Sequence, residues 1–571
     1  MSLSRRDIIK IGAVGGAALA LPLQRVAFTA SAPSRMPTSA LPKYFTQPFV
    51  RPPELNPVGS IDWTCPDGQV RTYPRYDLVQ SFTVASIIPG YKTPFFGYNG
   101  VTPGPTIRAR RGQPIAVRQA NLLQQPPAAP YQNVPMPSQY TTDPWQRSTS
   151  THLHGSASLP QFDGYASDVT FPGQVKTYFY PNCQEARTLW YHDHGVHHTS
   201  QNAYNGLAAM YVLHDDVERS VGIPSGANAA SAMYDVPLVV RDAMFDTKGN
   251  LMYQDNSESG VYGDVVLVNG VPWPVMDVEP RKYRFRILNA SVSRSYRWQL
   301  HDGRGPVPMT VIGTDAGLVP KPQVVTELRH GMAERYEVII DFANYKGALL
   351  TLKNLLPPNN INYDGIKQAM QFRVSRTDPQ STADNAIPSG WQDLVPPAEC
   401  MTFAEADLKQ QSVPDRRFEF IRKDSKWTIN GETWENVIDS DYQHCMAQPK
   451  HDAIEIWELK NTSGGWFHPV HIHLVDFQVL SRNGSPAQVQ PWEKGPKDVV
   501  YVGENETVRV AMRFAGPPAG AGWPAPQGRY MMHCHNLVHE DHDMMMQFSV
   551  EGPDDDVAFD PIKAARPVAI S

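Results

Sequence analysis

Three times along the 571 residues an Asn-Gly pair closes one strand, and a second strand of alternating polarity follows and ends in asparagine. The copies run from Asn99-Gly100 to Ile115-Ala116-Val117 and Asn121, from Asn269-Gly270 to Tyr283-Arg284-Phe285-Arg286-Ile287 and Asn289, and from Asn430-Gly431 to Ile454-Glu455-Ile456-Trp457 and Asn461. Alternation with period two marks a half-buried strand, and Asn-Gly suits a tight hairpin that needs two positive φ angles. A repeat of this kind predicts three related β-sandwich or barrel modules. Composition agrees, because 52 prolines and 40 glycines are costly inside helices and natural between short strands. The chain is also too long for a single core. An all-β array is expected, with modules over 33–220, 221–385 and 386–571. The first junction falls between His214-Asp215-Asp216 and the small-residue run 225–231, and the second in the Ser-, Thr-, Asp- and Pro-rich stretch 377–397.

The first and third copies share more. His152-Leu153-His154 matches His471-Ile472-His473, and His192-Asp193-His194 matches His533-Cys534-His535. On a strand the two imidazoles of such a pair share a face, about 7 Å apart at ~3.3 Å rise per residue, and each can hold a metal. The middle copy offers only His301 and His330. One such pair arises easily by chance; four in two matching modules point to a metal cluster in the cleft between the first and third. Eight imidazoles suffice for three coppers with positions left open.

Cys534 occupies the place of Asp193. On the strand from Tyr530 to His535 it points with Tyr530 and Met532 into its own module, away from Met531, His533 and His535. With His468, His539 and Met544 it makes the ligand set of a blue electron-transfer copper, where soft sulfur favours Cu(I) and imidazole accepts both oxidation states. The covalent backbone then links that ion to the cluster. Met545 and Met546 compete with Met544 for the axial place, and alternation assigns two of the three to packing. His197, His198 and His542 read as solvated or as hydrogen-bonding neighbours of ligands, and His214, His301, His330, His444 and His451 as surface histidines.

Ser4-Arg5-Arg6-Asp7 followed by the apolar run Ile11 to Leu23 is similar to a twin-arginine export signal, with Ala30-Ser31-Ala32 fitting a cleavage site. That run is too short for the roughly 20 residues that span a bilayer. Residues 1–32 therefore read as a signal peptide, and a periplasmic or extracellular location is expected, reached through the twin-arginine machinery, with no stable membrane association. The formal charge of −6 leaves no basic stripe for nucleic acid. Besides Cys534, the cysteines Cys65, Cys183, Cys400 and Cys445 allow up to two disulfides in any of three pairings.

Together, His-Leu-His-Gly from residue 152, Trp-Tyr-His-Asp-His-Gly from 190, His-Pro-Val-His-Ile-His from 468 and His-Cys-His-x3-His-x4-Met from 533 resemble the three-domain multicopper oxidases. That family includes laccases and bilirubin oxidases, and the resemblance covers essentially the whole chain after the signal. Gly465 to Phe477 and His533 to Met545 look most like the bilirubin oxidase and bacterial spore-coat laccase branch. The resemblance implies three consecutive cupredoxin-like Greek-key domains and a monomer with four coppers. His468, Cys534, His539 and Met544 would hold the type 1 ion, and His152 and His471 the type 2 ion. His154, His192, His194, His473, His533 and His535 would hold the type 3 pair. It implies one-electron oxidation of phenols, aminophenols or tetrapyrroles, coupled to four-electron reduction of dioxygen to water. Cys534 would carry the electrons. Glu540 and Asp163 match acids that deliver protons, and Trp427 matches a tryptophan beside the blue copper on the donor side. Two other readings have sequence signatures of their own. A cuprous oxidase of copper tolerance would carry a methionine-rich insert, whereas the 19 methionines are scattered apart from Met531-Met532 and Met544 to Met546. A metal-free structural relative would lack ligands.

Overall fold

A computed structural model describes residues 34–65, 67–127, 143–225, 231–255, 258–408, 413–514, 523, 525–551 and 568–569. The signal peptide expected over 1–32 lies outside them. The described strands form six sheets that fall into three consecutive pairs. The first pair takes strands between Glu54 and His214, the second between Asp235 and Val374, and the third between Arg416 and Val550; the short strand Val568–Ala569 returns to pair with Gln174–Tyr180 of the first. Each pair encloses its own apolar core. Helices are few and short, and no helix among the described residues is long and apolar enough to cross a membrane.

The repeat seen in the sequence is a repeat of hydrogen bonding. In each module the alternating strand pairs parallel with a strand that precedes the Asn-Gly turn: Arg75–Ser81 with Ala116–Leu122, Asp235–Val240 with Arg284–Asn289, and Arg416–Phe420 with Trp457–Asn461. All three Asn-Gly pairs have positive φ at both residues and close two-residue hairpins. The asparagine side chain then does a second job. Its carbonyl accepts the N–H of Val79, Val239 or Glu419, and its amide donates to the carbonyl two residues earlier, at Asp77, Pro237 or Arg417. The terminal asparagines Asn121, Asn289 and Asn461 are wholly buried. Each donates to two main-chain carbonyls of neighbouring loops and accepts the amide two residues on, so strand ends that would leave orphaned polar groups are satisfied.

Two expectations need correction. The strand Lys282–Asn289 is not half-buried: Arg284 and Arg286, its alternating polar residues, are fully buried. They face the first module and pair with Glu218, Glu337 and Asp235, so the polar side of the pattern is an interface instead of a wet face. The cysteines form no disulfide: Cys65, Cys183, Cys400 and Cys445 are all free, Cys65 lying against the Tyr73 hydroxyl and Cys445 against Gln547.

Candidate metal centre

In the first module Thr151–His154 runs antiparallel to Arg187–Asp193 with His152 opposite His192. In the third, His468–Ile472 runs antiparallel to Gly528–Cys534 with His471 opposite His533. The two strand pairs present the same side-chain pattern to each other, and their imidazoles interleave across the module boundary. His154 stacks on His471 with ring centres 3.7 Å apart, and His152 on His473 at 4.0 Å. All eight are buried.

Their nitrogens sort into one pair and two triplets. His152 and His471 bring Nε2 atoms within 3.4 Å. His194, His473 and His533 converge with Nε2 separations of 3.2 Å, and His154, His192 and His535 form the second triplet. The outward nitrogens are held by the protein. Nδ1–H of His152 donates to Asp163 O, that of His192 to Asp193 O at 2.8 Å, that of His471 to Asp498 O at 2.8 Å and that of His473 to Asp163 Oδ2 at 2.7 Å. His154 is reversed, since its Nε2 lies 3.2 Å from Asp498 Oδ1. Left over are His154 Nδ1, His192 Nε2 and both nitrogens of His535, buried with no hydrogen-bond partner, and one nitrogen from each of these three rings converges in the second triplet. A buried polar atom without a partner is costly, and a metal ion satisfies these. Burial pushes the imidazoles down, His192 to about 3 and His194 to about 4, with His152, His154, His471, His473 and His535 well below their ordinary value. They are neutral, as metal ligands must be.

Behind this site, Tyr530, Met532 and Cys534 point into the core of the third module, as alternation requires. Cys534 Sγ lies 3.1 Å from His468 Nδ1 and 3.7 Å from His539 Nδ1, and those two nitrogens are 3.3 Å apart. The far nitrogens are again anchored, His468 Nε2 at Ser463 Oγ and His539 Nε2 at Ser259 O of the middle module. Burial pushes the Cys534 thiol well up, so a thiolate there requires a cation beside it. Met544 and Met546 are buried in the same core as Cys534, while Met545 belongs to a separate cluster with Tyr165 and Trp434. Trp427 is fully buried, stacks on His539 at 3.8 Å and donates its N–H to Glu258 O.

Both acids named from the sequence touch cluster histidines. Asp163 sits in a turn before Gly164 (φ 77°) yet is buried against His152 and His473, and burial holds its carboxyl well above the usual range. Glu540 Oε2 lies 2.8 Å from His533 Nδ1, and Oε1 3.6 Å from His194 Nδ1. Burial opposes its charge, but the neighbouring imidazoles of His533 and His194 outweigh burial and bring the carboxyl down to about 2.

Among the remaining histidines, His330 departs from expectation. It is fully buried, with Nδ1 accepting from Trp298 Nε1 at 3.0 Å and Nε2 bonded to Glu334 O, a structural histidine of the middle module. His198 is buried behind Gly195 and bonded to Ser148 O. Two residues at the cluster were not legible in the sequence, Asp498 and Arg335, and a third, Trp190, stacked on His192 at 4.1 Å, stood in a quoted motif without a role. Asp498 and Arg335 have no spacing signal at all.

Models of the multicopper oxidase family match residues 140–218, 224–350 and 411–554. A bilirubin oxidase of Albifimbria verrucaria is 39% identical over 463 residues, covering 79% of this chain and 72% of the relative. A laccase of Bacillus subtilis (strain 168) is 32% identical over 498 residues, covering 81% and 91%. Among solved structures, a multi-copper oxidase from Pediococcus acidilactici superposes with a TM-score of 0.71 at 26% identity, over 93% of this chain and 96% of that one. With three family matches in chain order and ligand-type side chains converging as described, the chain belongs to the multicopper oxidases, copper-dependent oxidoreductases built from cupredoxin-like domains.

Proposed function

We propose that this enzyme takes single electrons from a small aromatic donor of the phenol, aminophenol or tetrapyrrole class and uses four of them to reduce dioxygen to two waters. The observation that carries the reading is the sorting of eight buried imidazoles into a pair and two triplets, with Cys534 placed between two of them. His468, Cys534, His539 and Met544 would hold a type 1 copper, His152 and His471 a type 2 copper, and the triplets His154, His192, His535 and His194, His473, His533 the type 3 pair. When bound, the coppers supply one-electron acceptance at the sulfur site and four-electron reduction capacity at the cluster.

The chain's own residues do the rest. Cys534 provides a covalent path from its sulfur to the two flanking imidazoles. Burial of the cluster keeps bulk water out. Asp163, disposed to keep its proton, and Glu540, disposed to be ionised, stand as donor and acceptor against cluster histidines, supporting roles in delivering the protons that water formation consumes. Trp427, stacked on His539, supports a place on the donor side. The twin-arginine motif supports export of the folded protein to the periplasm or beyond. A cuprous oxidase reading is not favoured, because apart from Met531-Met532 and Met544 to Met546 the methionines are scattered and form no methionine-rich insert. The test is copper content together with oxygen uptake on bilirubin, a dimethoxyphenol, an aminophenol and Cu(I). A blue protein oxidising an organic donor is expected; a colourless protein that binds no copper, or uptake driven by Cu(I) alone, would sink the proposal.

A further inference from the structure

The middle module contributes no side chain to either group of converging ligands, yet one of its arginines reaches them. Arg335 opens the strand Arg335–Asp341 and is fully buried. Its guanidinium makes a two-pronged pair with Asp498, Nη1 to Oδ1 at 2.6 Å and Nη2 to Oδ2 at 2.5 Å. Nε–H donates to Thr188 O at 2.9 Å, on the strand that carries His192. Asp498 in turn holds two cluster histidines, one from each flanking module. Its carboxylate oxygen lies 3.2 Å from His154 Nε2, and its main-chain carbonyl accepts from His471 Nδ1 at 2.8 Å. One residue therefore turns two rings in opposite senses, freeing Nδ1 of the first and Nε2 of the second for the interior of the cluster.

The surroundings are shaped around this pair. Asp315, also of the middle module, accepts the main-chain N–H of Arg335 at 2.7 Å and pairs with Lys497 at 2.8 Å. Gly155, directly after His154, has φ of 85°, and a Cβ there would come within 2.6 Å of both Arg335 Nη2 and Asp498 Oδ2. The glycine of the His-Leu-His-Gly motif is thus required by the arginine fork as well as by its turn.

We propose that Arg335 is a positioning residue for the cluster. By clamping Asp498 it fixes the rings of His154 and His471, so that the module without ligands governs assembly of the metal site between the other two. The inference rests on the copper reading above. Planarity is essential to it, because a guanidinium holds both carboxylate oxygens at once and a lysine ammonium does not.

The test compares full-length, copper-loaded wild type with Arg335→Gln and Arg335→Lys by metal analysis, the electron paramagnetic resonance signal of the type 2 ion, and the blue absorption band. Neither Arg335 nor Asp498 bonds to His468, Cys534 or His539, so the blue band reports that the third module is folded. The expected result is a retained blue band with cluster copper bound about 10–100-fold more weakly in Arg335→Gln, the range seen when a partner of a metal-ligating histidine is removed, and an intermediate loss in Arg335→Lys. A full copper complement with an unchanged type 2 signal would overturn the inference while leaving the copper reading intact. Wild type without copper would sink the reading itself. Should Arg335→Gln lose the blue band, Asp498→Asn, of the same size and with the same main-chain acceptor, takes its place: cluster copper is expected to weaken, and normal copper content and spectra would refute the role.

Discussion

Single side chains decide what this site can hold. Which residues carry ligand-type side chains is written in the motifs, but which nitrogen of each ring is left free is not. That is set by what the other nitrogen touches: a main-chain carbonyl for His152, His192 and His471, a carboxylate for His154 and His473. Glu540 is the clearest functional case. It follows His539 in sequence but turns back to His533, 2.8 Å away. Glu540→Gln keeps the size of the side chain and removes the proton acceptor. The blue band should survive, since no atom of the sulfur site changes, and oxygen turnover with saturating donor should fall about 100-fold or more, the usual worth of general acid-base catalysis. Unchanged oxygen consumption would remove Glu540 from the proton path.

Secondary-structure elements were largely legible, because alternation and Asn-Gly turns are local signals. The three hairpins form where the dipeptide stands, with both φ angles positive. The turns are nevertheless not equivalent in their surroundings. A Cβ on Gly431 would meet nothing within 4 Å, whereas one on Gly270 would come within 2.4 Å of Thr102 O, a residue of the first module. Gly431→Ala should cost about 1–2 kcal/mol, the penalty of a left-handed conformation for an L-residue. Gly270→Ala should cost distinctly more, since it adds a collision between modules. Denaturant midpoints of the two variants test this, and equal losses would show that the contact at Thr102 yields freely. What alternation could not reveal is which polar faces are wet. Arg284 and Arg286 have the spacing of solvent-facing residues, but Glu337 and Asp235 of their own module and Glu218 from the end of the first are their buried partners.

Across the whole molecule, burial of ionisable groups makes stability depend on pH. Twelve histidines have values lowered chiefly by burial. A lowered histidine binds its proton more readily in the unfolded chain. Each therefore withdraws stability as pH falls below its ordinary value of 6.5, down to the folded values of about 3 to 4 where these are defined. Six aspartates are raised, Asp193 to about 7 and Asp476 to about 6. These act in the opposite sense, because the folded state takes up their protons first. The histidines outnumber them two to one. Copper-free protein should accordingly unfold at lower denaturant at about pH 5 than at neutral pH, and copper should raise both midpoints, since it binds the neutral rings of the folded state. A midpoint that is level or higher at about pH 5 would mean the aspartates dominate.

The sequence by itself determined the threefold β repeat, the identity of the copper-type side chains and the pairing of Cys534 with its flanking histidines, because each depends on residue type and on spacing within one strand. It did not determine which histidines share an ion, that Lys282–Asn289 is buried on both faces, that His330 is structural, or that Arg335 and Asp498 join three modules at the cluster. Those relations join residues from different strands and loops, 319 positions apart for His152 and His471 and 163 for Arg335 and Asp498, and no local periodicity encodes them. They exist only once the modules pack, when desolvation makes an unpaired charge costly and draws partners such as Asp498 for Arg335 from distant parts of the chain.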